Sequence, residues 1–468
     1  MTNSNTEPMP TERRRWPLIA AVLAVVLLVV VAVLVFGWPR RVGGLAIGPR
    51  PAWQPPPQTQ LSSSMHVPPV PGWRLRATDL GLPTRFATSD DPQFADPFIG
   101  NVDNHAYFLA GSSAATGTQW WLTGVDVDSG QSMFKPVPLN TGQRAPQCFL
   151  NGPAAVLCVD DERQRSRAWV IDVPSGRESY SGPTDLRTFG ASLRVKQIGI
   201  YAVADTSDQG IYGVGAKAET TWFVPGDGSA QYRYMPDDFA PQTISTQAGL
   251  GRATDRMVVF RVTDGHVFEP VMPEGTSPGS AAVYPGGFAV EILDDSVGGT
   301  RGGVNFYDDD GKLLGHIDSG SSRGYLKSGA VDLPMVKAGR ESTVYSIDGT
   351  DLVHIQDISD ELLIGSRLFY EALNVEQYDL STGKQVEPCK FGYAHSTYVA
   401  TDGVVGLFRT GGQKIGMETY GLDLATCTTL WTRTSPPGAF HYLWRINTTL
   451  VQLSDDATEL MSLVAPQS

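Results

Sequence analysis

The chain has 468 residues, of which 41% are hydrophobic and 18% are charged, and this composition excludes a wholly disordered protein. Its 50 glycines and 33 prolines follow no collagen-type period, which favours many short strands joined by tight turns. The formal net charge of −13 argues against nucleic acid as a partner, because an acidic surface repels phosphates.

The N-terminal region contains one candidate membrane span. Leu18–Phe36 is a run of 19 apolar residues without a charge, long enough to cross the roughly 30 Å hydrocarbon core of a bilayer. Trp16 and Trp38 flank the run, at the positions where indoles favour the membrane interface. The sequence therefore predicts a transmembrane helix over residues 17–37, preceded by a short cytoplasmic tail over residues 1–16.

The orientation of this span follows from its flanks. Arginines lie on both sides, at 13–15 and at 40–41, so the positive-inside bias is small. The short N-terminal tail and the cysteines downstream place the tail in the cytoplasm and the bulk of the chain outside it. Because no A-x-A-like site follows the apolar run, we favour an uncleaved signal anchor over a cleaved signal peptide.

Residues 38–72 are rich in proline, with Pro55–Pro57 and Pro68–Pro69 as the densest stretches. Proline favours extended polyproline II backbone, so the sequence predicts a semi-rigid extracytoplasmic stalk here. The remaining chain, residues 73–468, is predicted to be the folded domain.

Four cysteines, Cys148, Cys158, Cys389 and Cys427, suggest two disulfides in an external domain. Three pairings are possible. The apolar arms around Gly152 would place Cys148 opposite Cys158 in an antiparallel hairpin, which leaves Cys389 to pair with Cys427 between neighbouring repeats. Zinc binding is the rival interpretation, but the chain lacks a CxxC spacing.

Past residue 73, short Val/Ile/Tyr/Phe/Trp segments alternate with Gly/Asp/Ser/Pro clusters, which predicts strands and turns. Several segments share one pattern, in which a strand ends in Asp and a tight turn carrying Ser/Thr-Gly leads into the next strand. The residues that define the clearest copies are Asp126 and Gly130, Asp172 and Gly176, Asp379 and Gly383, and Asp423 with Trp431. Weaker copies surround Asp264, Asp308 and Asp348, and residues 200–228 form a degenerate one.

The spacing of these aspartates identifies the architecture. The spacing is 46 residues between Asp126 and Asp172, and 44 between Asp264 and Asp308 as well as between Asp379 and Asp423. A period of about 40 to 50 residues made only of strands is typical of propeller blades. We therefore predict an all-β fold, a β-propeller of about eight four-stranded blades with seven as the alternative. The strands at 449–453 and 459–464 would close the ring with the strand near residues 73–77.

The motifs Leu422-Asp423…Thr426-Cys427…Trp431 and Tyr378-Asp379…Thr382-Gly383-Lys384 resemble the repeat of quinoprotein (PQQ)-like propellers. The non-enzymatic branch of that group is similar to the BamB-type outer-membrane assembly lipoproteins. The resemblance implies a protein-binding propeller. Quinoprotein dehydrogenases bind their cofactor beneath adjacent cysteines, and this chain has no such pair, so we expect no cofactor.

Three patterns in the sequence invite a catalytic or metal site. Gly320–Gly324 fits GxSxG, but no helical pattern follows it, so a loop is the better interpretation. Asp308–Gly311 invites calcium, but position twelve of the loop is Ser319 rather than Glu, which favours a solvated blade turn. The seven histidines show neither HxH nor HExxH spacing. We therefore predict no catalytic, cofactor-binding or metal residue.

The prediction of function is a membrane-anchored, non-enzymatic propeller that binds an envelope protein or a cell-wall polymer on one of its faces in a bacterial cell envelope. Two alternatives stay open. One is an extracytoplasmic propeller enzyme, a quinoprotein-like sugar oxidoreductase or a polysaccharide-acting enzyme. The other is a ligand-sensing ectodomain, for which the cytoplasmic tail is short.

Overall fold

Nine antiparallel sheets follow one another along the chain in a computed structural model of the protein. The structure describes residues 53–82, 85–86, 96–114, 117–140, 145–162, 165–207, 209–228, 230–231, 242–247, 256–294, 300–318, 324–327, 332–356, 361–371, 375–389, 396–412, 416–437 and 442–467. Apart from one 3-10 turn, Ala77–Leu80, every regular element in these ranges is a β-strand.

Each sheet is a blade in which the strands run in chain order from the inner to the outer edge, apart from the ninth. Blade 1 contains β2 (Phe98–Val102), β3 (His105–Ala114), β4 (Gly117–Asp126), β5 (Gln131–Ser132) and β6 (Val137–Leu139), the last two both pairing with β4. Blade 2 contains β7 (Gln147–Leu150), β8 (Ala155–Glu162), β9 (Arg165–Asp172) and β10 (Arg177–Thr184), and blade 3 contains β11 (Arg194–Ile198), β12 (Tyr201–Thr206), β13 (Gly210–Val214) and β14 (Thr220–Pro225).

The next three blades repeat this order. Blade 4 contains β15 (Ala230–Gln231), β16 (Gln242–Gln247), β17 (Arg256–Arg261) and β18 (Val267–Phe268). Blade 5 contains β19 (Thr276–Tyr284), β20 (Gly287–Asp294), β21 (Thr300–Asp308) and β22 (Leu313–Asp318). Blade 6 contains β23 (Tyr325–Leu326), β24 (Met335–Ala338), β25 (Glu341–Tyr345) and β26 (Asp351–Gln356).

The last blades complete the ring. Blade 7 contains β27 (Glu361–Ile364), β28 (Arg367–Glu371), β29 (Val375–Asp379) and β30 (Lys384–Cys389), and blade 8 contains β31 (Ser396–Thr401), β32 (Val405–Gly412), β33 (Gly416–Asp423) and β34 (Thr429–Thr434). Blade 9 contains β35 (Leu443–Ile446), β36 (Thr449–Leu453) and β37 (Glu459–Val464), with β1 (Val70–Arg76) as its outer strand.

The two ends of the folded chain meet in blade 9. Strand β1 pairs antiparallel with β37, with Val70 opposite Val464 and Arg76 opposite Glu459. Ion pairs of 2.9 Å from Arg74 and Arg76 to Glu459 lie along the same seam. The predicted closure by the last strands and the strand near residue 73 is confirmed.

The all-β propeller is confirmed, but the described residues form nine blades rather than about eight. The Asp-turn repeats mark the connection between the third and fourth strand of a blade, and blade 9 has no such connection. Its outer strand comes from the opposite end of the chain, so counting the turns gives one blade fewer than the ring contains.

The cores of the ring lie between blades. Strand β9 shows this, because Ala168 and Val170 are buried in the cluster shared with blade 3, whereas Trp169, on the other face of the strand, is buried in the cluster shared with blade 1. One cluster joins residues of blades 1 and 2, including Trp120 and Trp169. The two faces of each sheet are apolar and can be covered only by the neighbouring sheets. The closed ring is therefore the stable arrangement.

Because consecutive strands in each blade are antiparallel, their connections lie on two opposite faces of the ring. We name the turn face as the one that carries the connections from first to second and from third to fourth strand in each blade. The loop face carries the connections from second to third strand and those between blades. Every residue singled out by the sequence as a blade-turn aspartate or glycine lies on the turn face.

Candidate interaction surfaces

The aspartate of each clear repeat caps the turn after the third strand. The Asp126 carboxylate accepts backbone N–H bonds from Asp128 (3.0 Å) and Ser129 (3.1 Å). The Gly130 N–H then donates to the Asp126 carbonyl oxygen over 2.8 Å. These N–H donors stabilise the ionised carboxylate, and the bond from Ser129 contributes most to lowering the pKa of Asp126.

The second copy repeats this geometry. Ser175 donates its N–H to Asp172 over 3.1 Å, and the Gly176 N–H donates to the Asp172 carbonyl oxygen over 2.8 Å. Gly130 and Gly176 have φ of 69° and 64°, the left-handed region in which glycine carries no steric penalty. The predicted chemistry of the turn therefore matches the geometry found.

An aromatic ring of the preceding blade packs against several of the turn glycines. A Cβ on Gly130 would lie 2.5 Å from the indole of Trp73, and one on Gly176 would lie 2.4 Å from the ring of Phe134. Trp73 also donates its indole N–H to the Val127 carbonyl oxygen over 2.7 Å. The same approach recurs for Trp222 on Gly265, Phe268 on Gly311 and Phe306 on Gly349. The glycine thus serves blade-to-blade packing as well as the turn.

The later copies keep the cap but vary the glycine. Asp379 accepts the Ser381 N–H at 3.0 Å and Gly383 has φ of 66°, whereas Asp423 accepts the Thr426 N–H at 2.8 Å. In that last turn Cys427 takes the glycine position with φ of 55°.

Asp264, Asp308 and Asp348 of the weaker copies also cap turns. Their carboxylates accept the N–H groups of His266 (2.9 Å), Asp310 (3.1 Å) and Thr350 (3.2 Å) respectively.

Both predicted disulfides are present. Cys148 lies opposite Cys158 in the register of β7 and β8, and the two are bonded. Cys389, the last residue of β30, is bonded to Cys427 in the turn between β33 and β34. The first bridge therefore lies within blade 2 and the second links blade 7 to blade 8.

Trp431 does not belong to a turn. It lies on the outer strand β34 and is 8% exposed, in a cluster shared by blades 8 and 9. Its indole N–H donates to the backbone carbonyl oxygen of Met65 over 2.8 Å. Trp431 thus fixes a segment that lies far away in the sequence.

That segment, residues 53–69, is here named the N-terminal strap, and it lies along the turn face. The Gln58 side chain bonds the backbone of Leu363 and Gly365 in blade 7, with distances of 3.0 and 2.7 Å. The Leu61 N–H donates to the Thr401 carbonyl oxygen of blade 8 (2.7 Å), and the Ser62 N–H to that of Thr448 in blade 9 (2.9 Å).

The strap also contributes to the core. Met65 is fully buried, its N–H donates to the Asp402 carboxylate over 2.6 Å, and Leu61 packs in the same cluster between blades 8 and 9. Trp53 packs against the cluster between blades 6 and 7. The stalk expected over residues 38–72 is therefore wrong from residue 53 onward, because apolar residues spaced among the prolines bind the strap to the ring. In the sequence, the apolar residues Trp53, Leu61 and Met65 indicate a segment that packs on the ring, whereas the high proline content favours a stalk.

The other candidate motifs show no assembled chemistry in the part of the chain that is described. Asp308 uses Oδ1 to cap its own turn, and burial, followed by the flanking Asp308 and Asp310 charges, raises the pKa of Asp309. No group of three His, Cys, Asp or Glu side chains in the described ranges could hold a metal ion. The GxSxG segment at 320–324 lies outside those ranges except for Gly324.

Residues 46–466 match the conjugation-associated 9-bladed β-propeller domain family, a span that covers most of the sequence and agrees with the nine sheets. The chain belongs to this family. An uncharacterised protein of Mycolicibacterium smegmatis is 37% identical to this chain over 477 residues, which cover 98% of each of the two chains.

Two solved structures show a limited similarity to this chain. BamB from Moraxella catarrhalis has a TM-score of 0.41 and 9% identity, covering 86% of this chain and 99% of its own. Dipeptidyl peptidase 4 from Porphyromonas gingivalis has a TM-score of 0.39 and 10% identity, covering 82% of this chain and 67% of its own. The assignment of the fold rests on the nine sheets and the family match, and the quinoprotein-type repeat stays a prediction.

The predicted transmembrane helix, residues 17–37, lies outside the described residues. Within the described ranges, no helix has the length and apolarity needed to cross a bilayer.

Proposed function

We propose that this protein is a non-enzymatic, protein-binding propeller of a conjugation apparatus in the bacterial cell envelope. Residues 17–37 would cross the bilayer, residues 1–16 would lie in the cytoplasm, and the ring would lie outside. The family match over residues 46–466 carries the proposal, because that family is described by its association with conjugation, a process that crosses the envelope.

Two features support the placement outside the cytoplasm. Both pairs of cysteines are bonded, and disulfides persist mainly in oxidising compartments. The 19 apolar residues of Leu18–Phe36 have the length of a bilayer span.

The partner proposed is an envelope protein or a cell-wall polymer rather than DNA. Residues 1–52 carry six arginines and two glutamates, so residues 53–468 carry a formal net charge of −17 against −13 for the whole chain. A ring of this charge repels the phosphate backbone at long range.

Topology is tested with introduced cysteines, since the native ones are held in disulfides. A membrane-impermeant maleimide applied to intact cells should label Phe223→Cys, which is exposed on β14, and should spare Ser4→Cys. Both should be labelled after the cells are permeabilised. Labelling of Ser4→Cys in intact cells would overturn the proposed orientation.

Binding is tested by crosslinking in native membranes of conjugating cells, followed by affinity capture of the tagged full chain and mass spectrometry. We expect one or two stoichiometric envelope proteins. A deletion strain should transfer DNA at a reduced frequency that the intact gene restores. Recovery of the protein alone, with unchanged transfer, would overturn the scaffold function.

A further inference from the structure

The turn between the third and fourth strand of blade 5, residues 308–311, differs in charge from the matching turn of blade 6, residues 346–349. The backbone is the same in both turns, since the N–H of the last residue donates to the carbonyl oxygen of the first over 3.0 Å. Asp309 therefore takes the position that Ile347 has in blade 6, and Asp310 follows it. Blade 5 thus carries an acid where blade 6 carries an apolar side chain.

The cap of the blade 5 turn is made by one carboxylate. Asp308 Oδ1 accepts the N–H of Asp310 over 3.1 Å and the N–H of Lys312 over 2.8 Å. The cap that recurs in the other blades is therefore complete without the Asp309 and Asp310 side chains. Asp309 is half-buried and Asp310 is exposed, so these two carboxylates add negative charge to the turn face.

A buried hydroxyl lies close to these acids. Tyr284 is 1% exposed in the cluster between blades 5 and 6, and among the described residues its hydroxyl has no hydrogen-bond partner. Burial, followed by the charge of Asp309, raises the pKa of Tyr284 well above its usual range. Burial, followed by the charges of Asp308 and Asp310, raises the pKa of Asp309 itself. Negative charge is therefore concentrated beside a hydroxyl that can still accept a hydrogen bond.

An exposed apolar side chain lies beside the same acids. Ile347 is 36% exposed, and its Cδ1 atom lies 3.7 Å from the position of a Cβ on Gly286. In the register of blade 5, Asp308 lies opposite Gly287, the next residue of that hairpin. Ile347 and the acidic turn therefore flank one hairpin, on the turn face at the junction of blades 5 and 6.

We propose that the turn face at the junction of blades 5 and 6 docks a protein partner that presents a Lys or Arg side chain beside an apolar side chain. This inference rests on the proposed function and names the face and the kind of partner. Asp309 and Asp310 attract the cation, and the Tyr284 hydroxyl accepts one of its N–H bonds. Ile347 supplies the apolar contact. Because a bound cation relieves the repulsion among the acids, a basic partner is favoured over a neutral or acidic one.

Leu313 is a matched control for Ile347. It is 45% exposed at the start of β22, and it pairs with Tyr307, which packs on the other face of the sheet in the cluster shared with blade 4. A benzophenone amino acid placed at 347 or at 313 in the full chain tests the surface in native membranes. We expect a protein adduct from position 347, mapped to a segment with Lys or Arg beside an apolar residue, and no such adduct from position 313.

Affinity is then measured by titration of the purified partner. Asp309→Asn should weaken the Kd at least about tenfold, and added salt should reduce this effect. Asp128→Asn, which removes an exposed acid from the turn face of blade 1, should leave the Kd within about twofold. Tyr284→Phe should weaken the Kd about three- to tenfold, through the loss of one hydrogen bond.

The stability of the free protein separates binding from folding. The urea midpoint of Asp309→Asn at neutral pH should not fall, because its neighbours repel the charge that is removed. The midpoint of Tyr284→Phe should not fall either, because the hydroxyl that is removed has no partner among the described residues. Lower midpoints together with weaker binding would show that these residues act only through the fold, and the inference would then be wrong.

Equal adducts from positions 347 and 313, an adduct to DNA or lipid, binding that EDTA abolishes, or an unchanged Kd for Asp309→Asn would each overturn the inference. If the crosslinking of the full chain still captures an envelope protein, the scaffold function stands and only this surface is wrong. If the full chain captures no partner, the scaffold function itself fails.

Discussion

At the scale of single residues, a turn glycine can meet two requirements, a left-handed backbone and close packing by an aromatic ring of the neighbouring blade. The sequence indicates only the first. Gly130 has φ of 69°, and it lies beneath the indole of Trp73 from blade 9. Gly199 has φ of 56° but nothing within 4 Å of its Cβ position. Comparing the two separates backbone strain from the packing of one blade on the next.

We expect Gly130→Ala to lower the free energy of unfolding by about 2–4 kcal/mol, because left-handed strain adds to a clash with Trp73. Gly199→Ala should cost only the strain, about 1–2 kcal/mol. Denaturant unfolding monitored by tryptophan fluorescence measures both. Equal losses of stability in the two variants would show that the packing of Trp73 against Gly130 adds nothing to the cost of the substitution.

The turn aspartates also make stability depend on pH. The N–H of Ser129 lowers the pKa of Asp126, that of His266 lowers the pKa of Asp264, and the Ser346 hydroxyl lowers the pKa of Asp348. A carboxylate with a lower pKa in the folded state stabilises the fold above its unfolded value of 3.8. That contribution is lost as the pH falls from 3.8 through the lower folded pKa.

Asp126→Asn keeps an oxygen that can cap the turn but removes the titrating group. The variant should therefore lose less stability than the unchanged protein between pH 5 and pH 3. Unfolding midpoints in urea across this range give the comparison. A steeper loss for Asp126→Asn would contradict the assignment of a lowered pKa.

At the scale of elements, the strap shows how a segment without regular structure can stabilise a sheet protein. Residues 53–69 form no strand, yet backbone and side-chain bonds attach them to blades 7, 8 and 9. The strap leads directly into β1, which completes blade 9. We infer that it stabilises the seam where the two chain ends meet.

Met65→Ala should reduce the free energy of unfolding by about 2–5 kcal/mol, the usual cost of emptying a buried site of this size. It should also expose residues 53–69 to limited proteolysis before the rest of the ring. Val67→Ala is the control, since Val67 is 49% exposed in the same segment. Cleavage that is equally fast in both variants would mean that Met65 does not hold the strap.

At the scale of the whole molecule, the ring is closed by strand pairing in blade 9, and the two disulfides lie elsewhere. One bridge spans 10 residues within blade 2, and the other spans 38 residues between blades 7 and 8. Cross-links that enclose more chain restrict the unfolded state more strongly. Loop entropy therefore predicts that the longer bridge contributes more to the stability of the ring.

For separations of 10 and 38 residues, chain entropy predicts losses of about 3 kcal/mol for Cys148→Ser with Cys158→Ser and about 4 kcal/mol for Cys389→Ser with Cys427→Ser. Urea unfolding of the two double variants tests the order. A reductant should destabilise the unchanged protein and leave a variant without any cysteine unaffected. The opposite order would show that native packing around the bridges outweighs loop entropy.

The sequence alone determined the all-β propeller and the capped turns, because each depends on local chemistry repeated at a fixed period. It also predicted the Cys148–Cys158 pair from one hairpin, and the Cys389–Cys427 pair followed only as the remainder. Asp126 and Gly130 specify a turn wherever they stand, and Cys148 faces Cys158 through a single hairpin. The tertiary structure decided the ninth blade, the place of Trp431 and the strap. These depend on contacts between residues hundreds of positions apart, such as Met65 with Trp431, and no local pattern records which surface will cover an apolar side chain.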